Sequence, residues 1–194
     1  KETSGILLFA RNQVAAARLQ KQREEGKLQK KYLALAEGDL SEANDSVFWK
    51  EIAIPLAPDP ENPMKMTISP DGLLPGSRNA VTYYKNIKSF GNVTLVELQL
   101  ETGRTHQIRV HMSGIGHPLL GDTMYNPGTC LNMSNSKEKK NTEGRINNRN
   151  DCFKRAALHA WKLTFCHPFT DEIITLEAPL PDDFCRFLNA NEEE

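Results

Sequence analysis

Two long strand-like segments follow one another with a short glycine turn between them, and this feature constrains the fold more than any other. Residues 79–88 and 92–100 are rich in β-branched, aromatic and aliphatic side chains, and Gly91 lies between them. Such a pair predicts a β-hairpin. Polar and apolar side chains alternate in the second segment, so we expect its more apolar face to contact a core. That face consists of Thr94, Val96, Leu98 and Leu100.

Shorter elements precede the hairpin. Residues 4–10 form an apolar run of strand length. Asn12 can cap a helix that ends at Gly26. Residues 27–37 then form a second strand, which gives the chain a strand–helix–strand beginning.

Similar elements end the chain. Residues 157–165 and 172–177 predict a last pair of strands, and Pro181 begins a short helix. The whole sequence holds roughly six to eight strands, mostly in hairpins, and three helices. It therefore predicts an α+β domain with a largely antiparallel sheet.

The length of 194 residues suits one domain, which we take as residues 1–194. Residues 126–151 are rich in Asn, Ser, Gly and Lys and predict a flexible insertion loop, and residues 189–194 form an acidic tail. The four cysteines show no CxxC spacing, so we expect free thiols in a reducing cytoplasm. They are Cys130, Cys152, Cys166 and Cys185.

Charge is distributed unevenly along the chain. The net charge is -1, but eight acidic residues and one basic residue follow from Asp171 onward. Residues 1–170 therefore carry 23 bases and 17 acids, a net charge of +6. Six of these bases lie between Arg18 and Lys31. Such a cluster either contacts nucleic-acid phosphates or is the solvated face of a helix, and the sequence alone leaves both open.

After the hairpin the chain turns sharply into a predicted helix. Gly103 permits the turn, and Thr105 can cap a helix over residues 106–113. Arg104 and Arg109 then lie near a helix N-terminus, where anions are favoured. Residue type alone is equally consistent with an anion site and with an internal ion pair.

The histidines of this region do not have the spacing of metal ligands. His106 and His111 are five residues apart and would project about 140° from each other around a helix. His117 lies beyond two glycines. We therefore expect no metal site here.

Four stretches are similar, in the same order, to the RluA-type RNA pseudouridine synthases. ETGRTHQIRVHMSGIGHPLLGDTMY resembles the most distinctive segment of that family. KETSGILLFARN resembles the segment after the family's nucleophile, KKYLALAEG its tyrosine motif, and RAALHAWKLTFCHP its late strand motif. The matches span Lys1 to about Leu188. The resemblance implies the family's catalytic fold, a mainly antiparallel mixed sheet flanked by short helices.

The resemblance also implies an activity, the isomerisation of uridine to pseudouridine in RNA without cofactor or metal. Tyr32 matches the tyrosine that stacks on the flipped base and is a candidate for removing its proton. Arg109 matches the arginine that pairs with the nucleophilic aspartate. Leu158 falls in the motif whose apolar residue packs against the base pocket. By residue type alone, Tyr32 and Leu158 would more often be core residues.

Other basic residues fit contacts with the RNA backbone. Lys30, Lys31 and Arg104 are the candidates, and replacing both lysines by Ala should weaken RNA binding and its salt dependence. The substrate would be ribosomal or transfer RNA, and we expect a cytoplasmic monomer that does not contact a membrane.

The sequence departs from the family at its first residues. The family pattern is His-Arg-Leu-Asp, two residues, then Thr-Ser-Gly, whereas here Lys1 and Glu2 directly precede Thr3-Ser4-Gly5. The nucleophilic aspartate would stand immediately before Lys1. We therefore expect the 194-residue chain to be inactive and its parent protein to be active, with Asp122 a structural residue.

Two other functions stay open. The chain could be a non-catalytic RNA-binding module of the same fold, or, less simply, a small-molecule enzyme that uses the arginine–histidine face. For the enzyme reading, we expect the Arg109 guanidinium and the Tyr32 phenol to converge on one cavity beside Lys1.

Overall fold

A seven-stranded mixed sheet forms the centre of the molecule, with strand order β1-β8-β2-β7-β6-β3 and β9 paired to β8. The computed structural model describes residues 2–40, 48–127 and 153–191. The strands are β1 (Ser4–Gly5), β2 (Gln29–Glu37), β3 (Lys50–Ile52), β4 (Leu56–Pro58), β5 (Met66–Ile68), β6 (Thr82–Ser89), β7 (Val93–Leu100), β8 (Leu158–Cys166) and β9 (Ile173–Glu177). The helices are α1 (Gln13–Glu24), α2 (Gln107–Gly114) and α3 (Asp182–Asn191).

The strand pairing confirms the predicted α+β class. The sheet is antiparallel except for β1, which runs parallel to β8. The predicted hairpin is β6 and β7. A separate two-stranded ribbon, β4 with β5, lies beside α2.

The first strand is shorter than the predicted run of residues 4–10. Only Ser4–Gly5 pairs with β8, because β9 occupies the same edge of β8 from Lys162 onward. Gly5 has a φ of 98°, and an added Cβ would collide with the Ala160 carbonyl. Beyond the strand, Leu7 and Phe9 are exposed.

Both faces of the sheet are covered. On one face α2 packs Ile108 and Met112 against a cluster that includes Leu98 and Leu158. On the other, α3 packs Phe184 and Phe187 against a cluster that includes Leu35, Phe90, Val93 and Leu95. We expected one face of β7 to contact a core, but both faces do, because Val93 to Leu98 are all buried.

Helix α1 begins as predicted and α2 does not. Asn12 caps α1 by accepting a hydrogen bond from the Ala15 amide at 2.8 Å. The predicted Thr105 cap of α2 is wrong, because the N-cap residue is His106, which adopts a left-handed conformation with φ 56° and makes no side-chain cap. The Gln107 side chain instead accepts the Arg104 amide at 2.9 Å and donates to the Val81 carbonyl.

Arg155 joins three parts of the fold. Its Nη1 donates to the carbonyls of Glu2 at 3.2 Å and Leu158 at 3.0 Å. Its Nη2 donates to the Asp183 carboxylate in the first turn of α3. The start of the chain, the start of β8 and α3 are thereby held together.

Part of the predicted loop and tail lies outside the described residues. Of the loop only 126–127 are described, and Asn126 donates to the Glu37 carboxylate at 2.7 Å. Residues 189–191 belong to α3, and 192–194 lie outside. Cys166 and Cys185 are free thiols, whereas Cys130 and Cys152 lie outside the described ranges. Among the described residues no helix has the length and apolar character needed to cross a bilayer.

Candidate active site

Arg109 is buried on α2 and is held by a carboxylate that follows the helix. Its Nε and Nη2 donate to the two carboxylate oxygens of Asp122 at 2.6 and 2.7 Å, the parallel geometry in which a guanidinium and a carboxylate bind most strongly. Asp122 is fully buried and also accepts the amides of Met124 and Tyr125. Burial acts to lower the pKa of Arg109, but Asp122 and Glu2 raise it overall. The guanidinium is therefore a fixed positive charge.

The same guanidinium faces the start of the chain. Arg109 Nη2 lies 2.8 Å from a carboxylate oxygen of Glu2. Among the described residues, the hydrogen bonds and ion pairs of Arg109 use Nε and Nη2, and none uses Nη1. The arrangement therefore leaves one edge of the guanidinium for a further acceptor near Glu2.

An aromatic pair covers Arg109. The Tyr125 ring centroid lies 5.0 Å from the Arg109 guanidinium carbon, and the Tyr125 hydroxyl lies 2.9 Å from His106 Nδ1. This hydroxyl also accepts the Met66 amide. Burial and the nearby Arg109 charge lower the pKa of His106, which favours the neutral imidazole. Strained backbone of the kind seen at His106 is concentrated at functional sites.

Tyr32 lines a cavity of about 230 Å³ between β2, α1 and the turn before α2. Burial raises the pKa of its phenol, and the positive charge of Arg23 opposes that shift. The hydroxyl is therefore protonated near neutral pH. The cavity is lined by Arg23, Leu28, Lys30, Tyr32, Leu100, Glu101, Thr102, Gly103 and Arg104.

The structure brings only some of the predicted site residues together in one cavity. Tyr32, Lys30 and Arg104 line one cavity, and Arg109 is not part of its lining. Leu158 is buried in the cluster against which Tyr32 packs. The convergence of Arg109 and Tyr32 on one cavity stays a prediction.

Lys31 projects from the face of β2 opposite Tyr32. Its Nζ lies 3.4 Å from the buried Glu97 carboxylate and 5.5 Å from the centroid of the Trp49 ring. Alternation along a strand explains why two adjacent lysines separate in this way.

Sequence reasoning left the contacts of three residues of this region unassigned. Asp122 was expected to be structural, and the structure adds that it binds Arg109 directly. Arg23 was considered only as one base of the Arg18 to Lys31 cluster, and Tyr125 received no role. Only packing in three dimensions brings these two residues to the cavity and to Arg109. Within the described part of the chain, no group of three or more His, Cys, Asp or Glu side chains could hold a metal ion.

Comparison with known proteins shows which family the chain resembles. The family model described as RNA pseudouridylate synthase matches residues 1–114. A Bacillus subtilis protein named as an uncharacterized RNA pseudouridine synthase, YhcT, is 38% identical over 185 residues, which cover 94% of this chain and 51% of that protein. The ribosomal large subunit pseudouridine synthase D of Haemophilus influenzae is 36% identical over 190 residues, which cover 98% of this chain and 53% of that protein. The chain thus spans about half the length of these curated relatives.

Solved structures give the same result. Human RNA pseudouridylate synthase domain containing 1 superposes with a TM-score of 0.62 and 27% identity, over 89% of this chain and 62% of that one. Human RNA pseudouridylate synthase domain containing 4 gives 0.65 and 25%, over 92% and 68%. The chain therefore belongs to the RNA pseudouridylate synthase family, in its RluA-type branch.

Proposed function

We propose that this chain supplies most of a site that isomerises uridine to pseudouridine in structured RNA, with an aspartate immediately before Lys1 as the nucleophile. One observation carries the proposal: a buried arginine, Arg109, contacts Glu2 at 2.8 Å, two residues from the expected aspartate. An arginine so placed would keep a neighbouring carboxylate ionised and oriented.

The chemistry conserves all atoms of the nucleotide. The aspartate carboxylate attacks the anomeric carbon of the ribose, the bond from that carbon to the ring nitrogen breaks, and the detached base turns. A ring carbon of the base then attacks the same ribose carbon and displaces the aspartate. That ring carbon loses its proton to a base, and the released ring nitrogen gains a proton. The reaction needs no oxidant, reductant or metal, only a nucleophile, a base and a pocket that holds the uracil while it turns.

Tyr32 and Leu158 would form that pocket. The Tyr32 ring can stack on a base that has left the helix, and Leu158 supports the apolar cluster beneath that ring. The Tyr32 hydroxyl is the candidate for removing the carbon-bound proton. Because its pKa is raised by burial, turnover should rise as the pH rises above neutral.

The RNA would be ribosomal or transfer RNA. The name of the Haemophilus influenzae relative refers to the large ribosomal subunit, which favours ribosomal RNA. Lys30 and Arg104 line the Tyr32 cavity and would contact the RNA backbone there. Lys31 lies on the opposite face and pairs with Glu97, so we do not assign it to this contact.

The decisive experiment compares the 194-residue chain with the polypeptide extended by the residues encoded upstream of Lys1. Both are incubated with RNA that carries tritium on carbon 5 of uridine, and released tritium is counted. We expect release by the extended protein, and none by the shorter chain or by an extended variant whose upstream aspartate is replaced by asparagine. Release by the shorter chain would disprove the role of an upstream nucleophile.

Tyr32→Phe in the extended protein separates stacking from proton removal. The phenyl ring still stacks, so RNA affinity should change little, whereas loss of the base should lower turnover by about 10²- to 10⁴-fold. Tyr32→Ala should weaken both. Wild-type turnover by Tyr32→Phe would limit the tyrosine to a packing role.

One observation favours a second candidate, a non-catalytic RNA-binding module. The Glu2 carboxylate already occupies Arg109 Nη2, so the arginine has an acidic partner without any nucleophile. This candidate predicts RNA binding by the extended protein with no tritium release, and a residue other than aspartate before Lys1.

A further inference from the structure

We infer that Arg23, Lys30 and Arg104 together bind one backbone phosphate of the substrate RNA, at the cavity that Tyr32 lines. The inference rests on the proposed function and deepens it, because it names where the RNA strand is held and adds Arg23 of α1 to the binding residues.

The three cations lack an acidic partner within the described part of the chain. No described carboxylate lies within ion-pair distance of any of them, and all three line the same cavity. Other unpaired bases occur on the surface, but they do not line this cavity. Many basic residues do have acidic partners, namely Lys21, Lys27, Lys31, Lys85, Arg109, Arg155 and Lys162.

Neutral acceptors hold the two guanidinium groups in place. Arg23 Nη2 donates to the Gly103 carbonyl at 2.8 Å, and Arg104 Nε donates to the Asn79 carbonyl at 3.0 Å. A carbonyl orients an arginine without neutralising its charge. Positioned guanidinium groups with unused donors are well suited to phosphate oxygens.

Gly103 makes room for Arg23. A Cβ at position 103 would lie 2.6 Å from Arg23 Nη2 and 3.3 Å from its guanidinium carbon. The guanidinium thus occupies the space of the missing side chain. A side chain at position 103 would therefore displace the Arg23 guanidinium from its present position.

The acidic groups near the cavity do not cancel the positive charge of the three cations. Glu101 also lines the cavity, and its carboxylate accepts the Tyr83 hydroxyl at 2.6 Å. Glu24 and Glu25 line a wider outer recess, which Arg23 and Arg104 also line. There Glu25 is paired with Lys27, and Glu24 accepts a hydrogen bond from the Gln20 side-chain amide. Burial and the charge of Arg23 lower the pKa of Lys30, which is the effect expected of cations crowded without a counter-ion.

The position beside Tyr32 relates the phosphate to the target nucleotide. A base stacked on the Tyr32 ring and a phosphate held by Arg23 and Arg104 would share one cavity. The phosphate is therefore that of the flipped uridine or of its immediate neighbour.

The test measures binding alone, so it is independent of turnover. Fluorescein-labelled oligouridylate is titrated with the 194-residue chain at several salt concentrations, using wild type, Arg23→Gln, Gly103→Ala and Arg186→Gln. Arg186 is an exposed base on α3, which packs on the opposite face of the sheet, so its variant loses the same charge away from the cavity. A second oligouridylate carries neutral methylphosphonate linkages.

We expect Arg23→Gln to reduce the slope of log K against log salt, by at most about 0.7, the value for one phosphate of a single strand, because Lys30 and Arg104 still contact that phosphate. Gly103→Ala should weaken binding without any change in charge, and Arg186→Gln should match wild type. Wild type and Arg23→Gln should bind the methylphosphonate probe equally. An unchanged slope for Arg23→Gln, or an equal loss in Arg186→Gln, would overturn the inference. Failure here with tritium release intact would leave the proposed function standing.

Discussion

Arg109 and Asp122 form a buried ion pair whose two members depend on each other. Removing both charges from water is unfavourable, and the two short hydrogen bonds offset that loss only while both partners are present. Because Asp122 also accepts two backbone amides, it fixes the turn after α2 as well as the guanidinium. Its role in positioning Arg109 is therefore inseparable from its role in stability.

Asp122→Asn should lower the free energy of unfolding by about 3–5 kcal/mol, because it removes the buried counter-ion of Arg109 and leaves only the partly exposed Glu2 carboxylate beside it. Equilibrium urea unfolding measures this loss. Glu177→Gln is the control, since it breaks the exposed pair with Lys162 and should change stability by only about 0–1 kcal/mol. Equal effects of the two substitutions would show that the Arg109 pair has no special weight.

At the scale of single residues, the sequence identified candidate site residues but not the residues that they contact. Arg109 was found because its motif is distinctive. Its binding to Asp122 was not, since a glycine–aspartate turn looks structural whether or not its carboxylate meets a cation. The left-handed conformation of His106 was equally hidden, because few residues other than glycine adopt it and no local pattern marks it.

At the scale of single elements, β2 distributes adjacent lysines to opposite sides of the sheet. Lys30 lines the Tyr32 cavity, and Lys31 pairs with Glu97 on the other face. The bulge in the pairing of β2 with β8 between Lys31 and Tyr32 does not alter this separation. The two residues should therefore respond differently to substitution.

Lys30→Ala should reduce the salt dependence of oligouridylate binding, by at most one single-strand phosphate contact, because it shares that phosphate with Arg23 and Arg104. Lys31→Ala should leave that dependence nearly unchanged and lower stability by about 1 kcal/mol, since Lys85 would then be the only described residue paired with the buried Glu97. Binding titrations and urea unfolding of both variants check this. Equal loss of binding in both variants would show that RNA contacts both faces.

The sequence predicted elements well where the signal is local. The β6–β7 hairpin, the Asn12 cap and the helix after Pro181 all follow from short-range patterns. The pairing of β1 with β8 could not be predicted, since it joins Ser4 to His159 and depends on which edge β9 leaves open. For the same reason, the run after Gly5 was mistaken for strand.

At the scale of the whole molecule, burial favours the neutral form of three histidines that lie in different parts of the fold. Burial is the largest cause that lowers the pKa values of His106, His111 and His159 below the ordinary 6.5. His111 is enclosed most fully, with its Nδ1 beside the Thr82 hydroxyl and its Nε2 beside the Ile54 carbonyl. The folded protein thus keeps these imidazoles neutral at a pH where the unfolded chain binds protons.

Stability should therefore be complete above about pH 6.5 and fall as the pH drops toward the lower pKa values of the folded state. Urea unfolding across this range measures the fall. His111→Gln is expected to be less stable near neutral pH but to lose less stability on acidification, because one titrating group is gone. A pH dependence as steep as that of wild type would show that His111 does not contribute.

The contacts of Arg155 have a consequence for handling the protein. One side chain connects the Glu2 carbonyl with Asp183, so the segment before β1 and the last helix are mechanically linked although 180 residues separate Glu2 from Asp183. A fusion partner or an affinity tag that strains the last helix would thus disturb the opposite terminus, beside Arg109. Engineering at either end should be judged by its effect on the other.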